Sequence, residues 1–123
     1  LEVYKGIDDF MVVLEDEAAI ANNNPDFSLI KSMDSRGLII TAKGEEVDFV
    51  SRWYGPQTGI NEDPATGSAH ALLATYWSKI LNKPQMSARQ LSKRAGHLKC
   101  EVKDDLVEIT GEAKLYLKGT IQV

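Results

Sequence analysis

The spacing of apolar positions changes several times along this chain, and each change marks an element. Residues 9–14, DFMVVL, form a short apolar run rich in valine and bounded by carboxylates, the pattern of a buried strand. EDEAAIANNNPDFSLIKSM then reads as two short helical pieces broken at Asn24-Pro25, with Asn24 or Asp26 as a cap. GLIITA (37–42) and VDFVSRWY (47–54) are strand-like, and KGEE between them predicts a hairpin. After Pro64 the period becomes helical. Ala69, Ala71, Leu72, Leu73, Ala74, Tyr76, Trp77, Ile80 and Leu81 leave Ser68, Thr75 and Lys79 as a thin polar stripe. A helix apolar over most of its circumference has to be buried on most sides, which predicts a long central helix.

The last third is β-rich. HLKCEVK puts Leu98, Cys100 and Val102 on one side and His97, Lys99, Glu101 and Lys103 on the other. Asp104-Asp105 makes the turn, LVEITG returns, and AKLYLKGTIQV alternates again. SARQLSKRAG is less regular: Ser87 suits a helix cap and Gly96 a stop, but the apolar spacing between them is poor. The pattern predicts an α+β domain of seven or eight short, mostly antiparallel strands wrapped around one long central apolar helix.

Composition narrows the function classes. The 123 residues are 43% hydrophobic and 26% charged, enough apolar surface for one domain with a real core. Lys and Arg number 14 against 18 Asp and Glu, a net charge of −4. That balance argues against nucleic acid or an anionic membrane as a partner. No apolar run approaches the roughly 20 residues of a membrane span, and no secretory leader is visible. A single cysteine, Cys100, cannot form an internal disulfide, so a cytoplasmic setting is expected. LEVYKG reads as a strand already under way, so the chain is expected to be a piece of a longer protein.

The candidate chemistry lies in NEDPATGSAH, residues 61–70. Asp63 suits an N-cap with Pro64 at the first helical position, or Thr66 or Ser68 caps a later start. The same atoms offer a binding site. A helix N-terminus has unpaired N–H groups and the positive end of a dipole, so it can hold a carboxylate or phosphate. Gly67 admits a ligand close to the backbone, and Thr66 and Ser68 add hydroxyl donors. Glu62 and Asp63 beside an anion site make sense if one of them is protonated or handles protons. The spelling fits neither a P-loop, which needs a lysine after the second glycine, nor a G-x-S-x-G hydrolase elbow. His70, among apolar neighbours, suits a hydrogen-bonded buried histidine better than a proton carrier. Arg52 could reach a substrate carboxylate or simply be solvated at a strand end. His97 and Cys100 fall on opposite faces of one strand, so no metal site is expected.

With DFVSRWYGPQTGINEDPATGSAHALLATYW in view, the chain resembles the PhzF-like (phenazine-biosynthesis-like) isomerases of the diaminopimelate-epimerase-type fold. RGLIITA upstream and QLSKRAGHLKCEVKDDLVEITGEAKLYLKGTI downstream extend the likeness over nearly the whole chain from about residue 36. The resemblance implies the C-terminal half of a protein about twice as long, with the active site between two similar halves, each a barrel-like sheet around a central helix. It implies cofactor-free chemistry, in which a carbon-bound proton leaves a small carboxylate substrate and returns at another position or face. Asp63 matches the acidic residue that assists binding and proton handling, and Gly67 and Ser68 match donors to the substrate. The proton-shuttling glutamate would lie in the N-terminal half. Related epimerases use a cysteine from each half; this chain has Thr66 near that place. The competing expectation is a binding or interaction module that keeps the fold without catalysis. A further one is that two copies pair as a homodimer, imitating the two halves.

Overall fold

A computed structural model describes all residues 1–123. Eight strands form one sheet: β1 (Glu2–Lys5), β2 (Asp9–Val13), β3 (Gly37–Lys43), β4 (Phe49–Gly55), β5 (Ile60–Glu62), β6 (Gln85–Gln90), β7 (Gly96–Lys103) and β8 (Leu106–Gly111). Their order is β1-β2-β3-β4-β6-β7-β8, with β5 also on β4. The pairings are antiparallel except β2 with β3 and β4 with β6. The helices are α1 (Glu17–Ala21), α2 (Phe27–Lys31) and α3 (Gly67–Leu81).

Alternation along the two central strands sorts the core into two layers. Ile39, Phe49 and Trp53 face α3, where they pack with Met11, Leu73, Trp77, Met86 and Cys100. Ile40, Val50 and Tyr54 face the other way and pack with Ile20 of α1 and Ile30 of α2. The two short helices start on side-chain caps, the second at Asp26, one of the two caps that NNNPD suggested. Asp16 accepts from the Ala19 N–H, and Asp26 accepts from Ser28 and Leu29. Asn82, left-handed at φ 52°, ends α3.

The site depends on how β4 shares one edge. β3 occupies the other edge along residues 38–43. On the shared edge β6 pairs with Phe49–Ser51, while β5 pairs with Tyr54 and Gly55. The two strands diverge between these points. There the Asp63 N–H donates to the Trp53 carbonyl at 3.3 Å and the Leu91 N–H to that of Ser51 at 2.7 Å. This fork brings the start of α3 beside the end of β6.

Four sequence expectations are corrected. The sheet is open, not barrel-like: β1 and β8 are its edges, and no pairing closes it. The long helix is present but not wrapped. Ala69, His70, Leu73, Ala74 and Trp77 are buried, whereas Ala71, Thr75 and Ile80 are exposed. One open sheet covers only one side of a helix, and apolar content alone does not reveal how many sides have neighbours. Residues 85–90 are strand β6, not helix. Finally, residues 112–123 are exposed and form no strand, so the last alternating stretch has no partner within the chain. No helix is long and apolar enough to cross a membrane.

Candidate active site at the start of helix α3

α3 begins at Gly67, with Thr66 as the extended N-cap residue, and no side chain accepts from the N–H groups of its first turn. Neither cap assignment from the sequence holds in its simple form. The Thr66 hydroxyl turns away from the helix and donates to Asp63 Oδ2 at 2.7 Å. Asp63 is therefore engaged with a side chain, and its Oδ1 has no partner in the chain. Gly67 and Ser68 are exposed. A Cβ built on Gly67 would meet nothing within 4 Å, so packing does not demand glycine there.

The turn from Asp63 to Thr66 is held from beneath by Gln90, the last residue of β6, which is fully buried. Its amide nitrogen donates to the Asp63 carbonyl at 2.7 Å and to Thr66 Oγ1 at 3.1 Å. Its oxygen accepts from the Thr66 N–H at 2.8 Å. Ser92, just beyond the strand, donates to the Pro64 carbonyl at 2.9 Å.

On the other side of the helix start, Arg36 reaches Ser68. Its Nη1 donates to Ser68 Oγ at 2.9 Å. Its Nε donates to Asp9 Oδ1 at 3.0 Å, and Nη2 to Asp9 Oδ2 completes a bidentate pair. Asp9 is buried at the head of β2, and the guanidinium also lies 5.4 Å from the centre of the Trp53 ring. The hydrogen bonds to Asp9 raise the Arg36 pKa above its ordinary value. Guanidinium has only donors, so Ser68 accepts here and its own proton is left to point outward. Arg36, Ser68, Gly6, Ile7, Asp9 and Leu72 line a groove of about 250 Å³.

The remaining candidates sit elsewhere. Arg52 and Glu62 pair with each other across β4 and β5, at 2.7 Å from Nε to Oε1 and 3.0 Å from Nη2 to Oε2. Arg52 Nη1 also donates to the Asn23 carbonyl at 2.8 Å. Arg52 shares the Tyr54 face of β4, opposite α3, because adjacent strand residues alternate. Its pKa is raised by the hydrogen bond to Glu62. Arg52 is thus neither solvated nor placed to hold a ligand at α3, and Glu62 is taken up by the ion pair. His70 is buried one turn into α3. Its Nδ1 lies 2.8 Å from the Thr66 carbonyl, which can only accept, so Nδ1 carries the proton. Nε2 is buried without a partner, and desolvation lowers the pKa. Cys100 is buried in the α3-facing core, and burial pushes its thiol up to about 11. His97 is exposed on the opposite face of β7.

Gln90, Arg36 and Asp9 were not singled out from sequence. Asp9 and Arg36 each stand at the head of an apolar strand, where a charge needs a partner if it is buried. Gln90 continues the inward alternation Met86, Ala88, Gln90, a signal hidden by the helical reading of SARQLSKRAG.

Fold and site define a class: a mixed α+β domain presenting one uncapped helix start at a fork in a single eight-stranded sheet. The family model described as phenazine biosynthesis-like protein matches residues 2–119, and the chain belongs to that family. An uncharacterized isomerase of Pseudomonas aeruginosa is 48% identical over 116 residues, 94% of this chain and 45% of that protein. A PhzC/PhzF phenazine biosynthesis protein from Clostridium difficile superposes with a TM-score of 0.88 at 45% identity, over 98% of this chain and 47% of that one. A PhzF-family protein from Enterococcus faecalis gives 0.80 at 47% identity, over 92% and 46%. The chain thus spans about half the length of these relatives.

Proposed function

We propose that this chain forms one wall of the active site of a cofactor-independent isomerase, which moves a carbon-bound proton on a small carboxylate-bearing substrate. The observation that supports this reading is the convergence, at one exposed helix end, of Asp63, Ser68 and the uncapped N–H groups at Gly67. A carbon next to a carboxylate gives up its proton only when the developing negative charge meets donors already in place. First-turn N–H groups are such donors, because the helix fixes their direction before substrate arrives. Ser68 adds a hydroxyl whose proton is free to point at the substrate, since its oxygen already accepts from Arg36. Asp63 assists binding and proton handling through its free Oδ1.

One wall open to solvent does not exclude water, and water would compete for every donor. The reading therefore includes a second wall, the N-terminal domain of the same protein, which supplies the group that shuttles the proton. Spanning about half of its relatives' length accords with that arrangement.

The test is solvent-deuterium incorporation, read by mass spectrometry, into a panel of small chiral and unsaturated carboxylic acids, using the full-length protein. Asp63→Asn is expected to lower turnover by about 100-fold. Gly67→Val, which meets no atom of the fold within 4 Å at its Cβ, should stay folded and lose substrate binding. Turnover by both variants at the wild-type rate would overturn the reading.

A further inference from the structure

We infer that Gln90 is a positioning residue that holds the Asp63 carboxylate in its working orientation, acting through the Thr66 hydroxyl. The inference rests on the reading of Asp63 as a group that handles the substrate's proton.

Every hydrogen-bond direction in this network is forced. The Thr66 N–H can only donate, so the oxygen of the Gln90 amide must face it, at 2.8 Å. The amide nitrogen then faces the opposite way, towards the Asp63 carbonyl at 2.7 Å and Thr66 Oγ1 at 3.1 Å. Flipping the amide would set N–H against N–H and oxygen against carbonyl. Because Thr66 Oγ1 accepts from the amide, its own proton goes to Asp63 Oδ2, at 2.7 Å. One buried side chain thereby ties both ends of the turn and, through one hydroxyl, a single oxygen of the carboxylate. The other oxygen is left free.

A purely structural clamp would not need that last link. Ser92 shows the contrast: it ties the same turn at the Pro64 carbonyl, at 2.9 Å, and reaches no side chain of the site. Gln90 is fully buried and approaches from the fork in the sheet, where no substrate can touch it. Its effect on the reaction must pass through Thr66 and Asp63.

The experiment has two arms on the full-length protein. In the first, NMR reads the Asp63 side-chain rotamer and the exchange protection of the Thr66 hydroxyl and N–H. Wild type should show one Asp63 rotamer and a protected Thr66. In Gln90→Leu, Asp63 should average over rotamers and the Thr66 N–H should exchange about 30-fold faster or more. Gln90→Glu keeps the shape and the acceptor for the Thr66 N–H, but it has no donor when ionised and only one when neutral. In either state the Asp63 carbonyl and Thr66 Oγ1 cannot both be served, so it decides the matter if the leucine variant does not fold. Ser92→Ala should leave Asp63 in one rotamer. In the second arm, deuterium incorporation into the best of the carboxylic-acid panel should give a kcat about 10- to 100-fold lower for Gln90→Glu, with KM changed less than about 3-fold. An Asp63 that keeps one rotamer in both Gln90 variants overturns the inference, as does an equal fall in kcat for Ser92→Ala. If Asp63→Asn turns over normally, the catalytic reading fails, and the first arm still reports whether the clamp exists.

Discussion

His70 shows how one buried atom can set a pH dependence without touching a ligand. Desolvation holds its pKa below the ordinary 6.5, while the hydrogen bond to the Thr66 carbonyl opposes that less strongly. The unfolded chain therefore takes up a proton before the folded one does. The stability contributed by neutral His70 is full above about pH 6.5 and is lost as pH falls from there towards the folded value. The slope is at most about 1.4 kcal/mol per pH unit. Urea unfolding between about pH 7 and pH 5 should show this loss, and His70→Met should flatten it; the same slope in both proteins would remove His70 as its source. The sequence placed His70 inside the helix as a hydrogen-bonded residue, which is where it lies. It could not reveal that Arg52 and Glu62 satisfy each other, because that depends on which strand returns beside β4.

Among the elements, α3 separates what apolar counting can and cannot say. Leu73 is completely buried against the sheet, whereas Ile80 is 57% exposed on the far side. Leu73→Ala should cost about 2–5 kcal/mol, through lost burial and the cavity left behind. Ile80→Ala should stay within about 0.5 kcal/mol of wild type. Equal losses, measured as denaturation midpoints at constant m-value, would mean that α3 is enclosed after all. β6 makes the complementary point. Its sequence obeys local helix-capping rules, yet β4 and β7 offer it an edge on either side. Two ladders of backbone hydrogen bonds outweigh a weak local preference, and register then turns Gln90 inward.

Over the whole molecule, the open sheet leaves β1 and β8 as unpaired edges. Leu115, Tyr116, Leu117 and Ile121 add exposed apolar surface in residues 112–123. Unpaired edges and clustered apolar side chains favour association with another surface. The isolated chain should therefore scatter light above its monomer mass at high concentration, and a version ending at Gly111 should shift towards monomer. A strictly monomeric full chain would count against self-pairing.

Periodicity alone determined most elements, because burial on one side imposes a repeat of two or of 3.6 that is written locally. It located β2, β3, β4, β7 and β8, both short helices with Asn24 or Asp26 as a cap, and the helix that follows Pro64. It also marked residues 61–70 as the place for chemistry, since a helix start with a glycine, hydroxyls and carboxylates is a local pattern. Tertiary structure decided the rest: the open edges, the single buried face of α3, and the fork that sets Gln90 under a turn 27 residues away. Hydrogen bonds are directional and short. Which distant donor meets Asp63 and Thr66 is therefore settled only when the strands have paired and the register is set.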